Sequence, residues 1–174
     1  MLRRNNQLQA DTGEKVVEQV EKREIVLRHL AQPTDVNFGG KVHGGMVMKW
    51  IDQAGYACAV SWSSAYAVTV YVGGIRFISP ILIGNLVEVR AKLIYTGRTS
   101  MHIAVDVLAS DPREGTIRKA THCIIVFVAV GEDGKPVAVP AWEPETEEDQ
   151  SLSRYAQRLM ELRSVIEEEM NRYF

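Results

Sequence analysis

The chain has 174 residues, 46% hydrophobic and 24% charged, with a formal net charge of −2. These figures suit one globular domain that buries roughly two-thirds of its unfolded surface, and they exclude a disordered segment and a strongly basic nucleic-acid binder. The balance conceals an asymmetry: residues 141–174 hold nine acidic residues against four arginines, so this tail is −5 and the rest of the chain +3.

Residues 1–22 are mostly polar, with a brief apolar feature at Val16, Val17 and Val20. They predict a frayed arm or short helix, too short for a helix-turn-helix domain and without the apolar run of a secretory signal. Residues 24–30 predict a first strand, followed by a loop carrying Pro33, Asp35, Asn37, Gly39 and Gly40. Residues 43–60 form the longest apolar segment, interrupted only by Lys49, Asp52 and Gln53. A helix of about 27 Å follows from that length, and its near-continuous apolar surface places it at the centre of a fold. Three polar residues in mid-segment, with no interfacial anchors beside them, argue against a membrane span.

Period-two alternation then takes over. Val87, Val89, Ala91, Leu93 and Tyr95 predict one face of a strand, and Met101, Ile103, Val105 and Val107 repeat the pattern. Residues 66–72, 74–79 and 116–130 supply further strands, with turns at Gly97, at 111–115 and at 131–134. One long helix followed by antiparallel strands predicts an α+β fold, a sheet wrapped around the helix. Leu152, Tyr155, Leu159, Leu162, Ile166 and Met170 then mark an amphipathic helix over 148–173. The domain organisation expected is an arm (1–22), a main domain (23–140), and an acidic linker with a terminal helix (141–174).

Cys58 and Cys123 lie in apolar runs, as buried free thiols of a cytoplasmic protein do. His29, His43, His102 and His122 are scattered, and no CxxC or HExxH spacing exists, so no metal centre is expected. Asp52 is the first candidate for chemistry. A carboxylate within an apolar helix must be paired, neutralised or used, because burying it alone costs several kcal/mol. Gly44 and Gly45 open the same helix, where small residues let a substrate carbonyl approach free N–H groups at the positive end of the helix dipole. Asp52 stands about 10 Å along the axis from Gly45, too far to share one carbonyl unless the substrate lies along the helix or a second subunit supplies one group.

The stretch Asn37-Phe38-Gly39-Gly40-Lys41-Val42-His43-Gly44-Gly45, running into the Asp52 helix, resembles the signature of hotdog-fold acyl-CoA thioesterases, the brain-type acyl-CoA hydrolases and their single-domain bacterial relatives. Phe77-Ile78-Ser79-Pro80 with Gly84, Gly97-Arg98-Thr99-Ser100 and Lys119-Ala120-Thr121 resemble further motifs of that family. The resemblance covers about residues 24–140 and implies a homodimer as the minimal active unit, arranged as a trimer of dimers, with sites shared between protomers. It implies hydrolysis of fatty acyl-CoA to a carboxylic acid and free CoA. Asp52 would be general base or nucleophile, Gly45 with Gly44 the oxyanion site, and Asn37 from the partner would orient water or the carbonyl. His43 is a weaker candidate for touching the carbonyl. Arg98, Thr99, Ser100, Lys119 and Arg76 are candidates for the CoA phosphates and pantetheine, with the acidic tail expected to lie away from them. No cofactor beyond the CoA of the substrate, no nucleic acid and no membrane partner is implied. The alternatives are a hotdog enoyl-CoA hydratase or dehydratase, and a non-catalytic acyl-CoA sensor.

Overall fold

A computed structural model describes residues 23–173. In chain order it holds β1 (Glu24–Leu30), a 3-10 turn (Pro33–Asp35), α1 (Gly44–Ser63), β2 (Tyr66–Phe77), β3 (Leu86–Thr96), β4 (Ser100–Ser110), β5 (Ile117–Val130) and α2 (Glu147–Met170). The five strands form one antiparallel sheet in the order β1-β3-β4-β5-β2, so β1 and β2 are its edges.

The alternation in β3 and β4 does what it predicts. Val87, Val89 and Leu93 of β3 and Met101, Ile103, Val105 and Val107 of β4 are fully buried on the face that meets α1. The helix answers with Val47, Trp50, Ile51, Ala54, Gly55, Cys58 and Ala59, the three- and four-residue spacing of one helical face. Its small residues allow close approach to the sheet: a Cβ on Gly55 would stand 2.8 Å from Phe127 Cε2. The expected α+β architecture, a sheet wrapped around α1, is the observed one.

Two details differ from the sequence expectation. Residues 66–79 do not form two strands. One strand, β2, runs from Tyr66 to Phe77 against β5, with register shifts after Thr69 and after Gly73 that absorb the irregular stretch without breaking the pairing. Nor is α1 enclosed all round: Asp52 and Tyr56 are exposed beside β2, where they meet Thr69 and Tyr66, and Lys49 and Gln53 are exposed beside β1. The sheet of five strands ends at these two edges, and none of the described residues continues the wrap. The arm expected over 1–22 lies outside the described residues.

The terminal helix covers the opposite face of the sheet. Leu152, Ala156 and Leu159 pack on Ile94, Ala104 and Ile124, which explains the unbroken apolar run Cys123-Ile124-Ile125-Val126-Phe127 in β5: it is covered on both faces. Thr146 caps α2 by accepting from the Asp149 amide at 3.1 Å, and three acids in the first turn oppose the positive end of the dipole. Among the described residues no helix is long and apolar enough to cross a membrane.

Asp149 also anchors the helix start, pairing with Arg23, whose guanidinium lies 4.4 Å from the Trp142 ring and donates to the Leu93 carbonyl at 3.0 Å. The bonds from Arg23 hold the buried carboxyl at about 2. An unfolded Asp titrates near 4, so the pair contributes fully above that pH and its contribution is lost as pH falls towards 2. Asp149→Asn is expected to cost about 1–2 kcal/mol at pH 7, allowing for partial screening, and to flatten the decline of stability between pH 4 and 2 in urea titrations. An acid limb identical to that of the parent chain would show that the pair carries no weight.

Candidate functional site

The loop between the 3-10 turn and α1 is built around Asn37. Its side-chain Oδ1 accepts from the Gly39 and Lys41 amides at 2.9 and 3.3 Å, and Gly40 takes a φ of +71° that few other residues adopt. The carbonyl half of the amide therefore closes the loop, and the Nδ2 half is left as a donor at an exposed position. Bridges of Val36 to Val42 and of Lys41 to Leu82 tie the loop to the start of the helix.

His43 is the residue before α1. It is exposed and its side chain makes no capping bond, while its backbone amide donates to the Asp35 carbonyl at 2.8 Å. Gly44 and Gly45 follow as the first helical residues, so their amides have no acceptor within the helix. A Cβ on Gly44 would meet Phe77 Cζ at 3.5 Å, whereas one on Gly45 would meet nothing within 4 Å. At the Gly44 side of this helix start lies a cleft of about 300 Å³ lined by Asn37, Gly44, Phe77, Ser79, Pro80 and Thr121. Phe38 and Phe77 are exposed around it, apolar surface that a free protomer presents to solvent. Such a cleft sets the Gly44 start of the helix, at the positive end of its dipole, beside apolar walls, which suits a polarised carbonyl on an apolar chain.

Asp52 is not buried, contrary to the expectation for a carboxylate in an apolar helix. It lies on the same side of α1 as Gly45, seven residues on, in the flank that the β2 edge leaves open. Its Oδ1 accepts from the Thr69 hydroxyl at 2.6 Å. Thr69 sits beside the register shift of β2 and was not singled out by the sequence; a threonine between Val68 and Val70 reads as ordinary strand. Gly45 and Asp52 remain about 10 Å apart along the axis, so one carbonyl cannot meet both within a protomer.

The residues suggested for CoA fall into two places: one lies far from the cleft, and the other, Arg76 and Lys119, borders it without lining it, the Lys119 carbonyl accepting from the Ser79 hydroxyl at 2.9 Å. Arg98 and Thr99 form the β3–β4 turn, and Ser100, which opens β4, pairs with Val128 of β5, whereas Phe77 at the cleft pairs with Thr121. Seven residues of β5 separate those levels, roughly 23 Å. Ser100 also shares a groove with Glu167, so the acidic helix does not lie away from it. Lys119 and His122 both hold Asp106, at 2.9 and 2.6 Å, and Arg76 stands opposite His122 in the sheet. Burial works against the charged Asp106, but the bonds from His122 and Lys119 outweigh it and keep its pKa below the usual range. Both thiols are buried and free, with burial pushing each pKa up to about 12, so neither is a nucleophile. Among the described residues no group of three or more His, Cys, Asp or Glu side chains could hold a metal ion.

Residues 39–116 match the model of the thioesterase superfamily. The acyl-CoA thioester hydrolase YciA of Salmonella typhimurium is 38% identical over 121 residues, 67% of this chain and 90% of that one. A hexameric acyl-CoA thioesterase of known structure, in its apo form, superimposes with a TM-score of 0.79 at 32% identity, covering 84% of this chain and 94% of its own. The acyl-CoA hydrolase of Staphylococcus aureus, solved with butyryl-CoA, CoA and CoA disulfide, gives 0.78 at 26% identity, covering 86% and 91%. That hydrolase has also been solved with an asparagine, an aspartate or a threonine replaced by alanine, the asparagine 15 residues before the aspartate and the threonine 17 after it.

Proposed function

The chain belongs to the thioesterase superfamily and hydrolyses acyl-CoA thioesters, and from that premise we propose that Asp52 drives the reaction in a site completed by a second protomer. The observation that carries this reading is the Asp52–Thr69 hydrogen bond at an open sheet edge, out of reach of the glycine amides of its own helix. Asn37, Asp52 and Thr69 stand at the separations of the three residues replaced in the Staphylococcus aureus hydrolase, which supports treating them as one unit.

Two protomers that pair their β2 edges antiparallel extend the sheet and bring opposite ends of the two chains together. Asp52 of one protomer then faces the cleft at Gly44, Gly45 and Asn37 of the other. In that arrangement the thioester carbonyl oxygen lies against the Gly44 and Gly45 amides. Asp52, held by the Thr69 hydroxyl, takes a proton from water as the water oxygen bonds to the carbonyl carbon. Negative charge collects on the carbonyl oxygen, where preorganised amides are typically worth about 3 kcal/mol each. Collapse breaks the C–S bond, and the proton passes to the departing thiolate, leaving the carboxylic acid and CoA. Direct attack by the carboxylate on the carbonyl is the alternative route through the same residues. Asn37 Nδ2 orients the water or the carbonyl.

The same antiparallel pairing carries Arg98 and Thr99 of the partner to the end of the sheet where the cleft opens, in keeping with a role on the CoA phosphates. The dimer is the minimal unit, and a trimer of such dimers is the assembly proposed from hexameric relatives. Two free buried thiols agree with a reducing, cytoplasmic setting. The test is release of CoA thiol across short, medium, long and aromatic acyl-CoAs, with mass measured by sedimentation. Release from at least one class by an oligomer is expected. Hydration of an enoyl-CoA without thiol release would replace this reading with the hydratase one, and binding without turnover with the sensor.

A further inference from the structure

We propose that the last turns of α2 seat on a second copy of this chain across the β2 edge, as a clamp over the outer face of the seam. The inference rests on the β2-edge pairing proposed above and adds to it a surface that the active site does not use.

The course of α2 carries the argument. It starts at the β3 side, where Asp149 meets Arg23 and Glu148 lies 3.8 Å from Lys92. It crosses β4 and β5 through Leu152, Ala156 and Leu159, and reaches β2 at Arg163, whose guanidinium lies 4.3 Å from the Tyr71 ring. β2 is the last strand of the sheet. From Arg163 to Tyr173 another ten residues follow, about 15 Å of chain if helical, or some three strand spacings.

The apolar stripe does not stop at the edge. Tyr155, Leu159, Leu162, Ile166 and Met170 continue it at steps of four and three, but Ile166 and Met170 are 53% and 54% exposed. The face that grips the protomer's own sheet in the first half of the helix therefore runs on past β2, beyond the last strand among the described residues. A sheet continued by a partner's β2 fills that space. Two of the acids flanking the stripe are paired within the protomer, Glu167 with Arg163 at 2.6 Å and Glu169 with Arg172 at 2.8 Å, which limits repulsion against a second copy.

The receiving surface is present on the same molecule. Beside α2 at the β2 edge lies a groove of about 340 Å³, lined by Val70, His102, Val126 and Val128 of the sheet and by Met160 and the ion-paired Arg163 and Glu167 of α2. Val70 is half exposed, and burial pushes the His102 imidazole down to about 4, so the sheet side of the groove adds no charge at neutral pH and the charges on its α2 side are the paired Arg163 and Glu167. A two-fold axis requires each surface to meet its counterpart. The helix end of each copy enters the groove of the other, and both apolar surfaces are covered at once.

Ile166→Glu with Met170→Glu changes only side chains that are exposed in the protomer, so the fold should survive. Dimer dissociation is expected to become at least tenfold easier by sedimentation across a concentration series. Association identical to that of the parent chain would overturn the clamp. Amide exchange in the parent oligomer separates the two readings. Slow exchange in both 66–77 and 164–170 supports the clamp. Fast exchange in 164–170 with slow exchange in 66–77 overturns the clamp and leaves the edge pairing standing, whereas fast exchange in 66–77 overturns both.

Discussion

Asp52→Asn is expected to lower the rate of CoA thiol release by about a thousandfold. Positioned proton transfer contributes typically 10²–10⁴, and an amide cannot take the proton. The replacement is nearly isosteric, and the Asn side chain can still accept from Thr69, whose hydroxyl stands 2.6 Å from the Asp52 carboxylate. The exposed position carries no ion pair among the described residues, so the melting temperature should stay within a degree or two. The effect should fall on kcat with KM little changed, because the lost interaction belongs to the transition state. Thr69→Val makes a useful comparison: it removes only the hydroxyl that orients the carboxylate and should cost about tenfold, the order of one hydrogen bond. Near-normal thiol release by Asp52→Asn would remove the aspartate from the reaction altogether.

Mixing two inactive variants is expected to restore activity. If each site takes Asp52 from one protomer and Asn37 from the other, Asp52→Asn and Asn37→Ala homodimers are both impaired at every site. In a mixed dimer the two lesions meet in one site, and the second site is intact. Co-refolding the variants in equal amounts makes half of the dimers mixed, so about one quarter of parental activity should return, against a background near zero for Asp52→Asn alone. The size of the recovery separates a shared site from a self-contained one, because lesions confined within each protomer cannot complement. A mixture no more active than the mean of its components would place both residues in one protomer's site and refute the shared arrangement. The 10 Å between Gly45 and Asp52 along α1 makes complementation the expected result.

Much of the fold was legible because it depends on local periodicity. The alternation in β3 and β4, the three-to-four spacing in α1 and the stripe of α2 each report which residues share a face, and burial follows directly. The Asn37-to-Gly45 motif was legible for a similar reason: loop closure, a glycine at positive φ and two small residues at a helix start are all consecutive in the chain. The environment of Asp52 is not legible in this way. Composition describes α1 as a helix with apolar neighbours, but whether its polar flank is enclosed depends on where the sheet ends, and no local pattern records an edge. Thr69 went unnoticed because its importance lies in the Asp52 side chain opposite it, not in its own neighbours.

By itself, then, the sequence determined the elements, the helix start with its free amides and the family to which the chain belongs, since each is written in short spacings along the chain. Only the tertiary structure decided that Asp52 meets Thr69 at an open edge, that the Gly97–Ser100 turn lies roughly 23 Å from the cleft of its own protomer, and that α2 reaches β2 with apolar turns to spare. These are matters of strand order and register. They are set by the packing of the whole sheet, which brings together residues distant in the chain and exposes others that local pattern alone would bury.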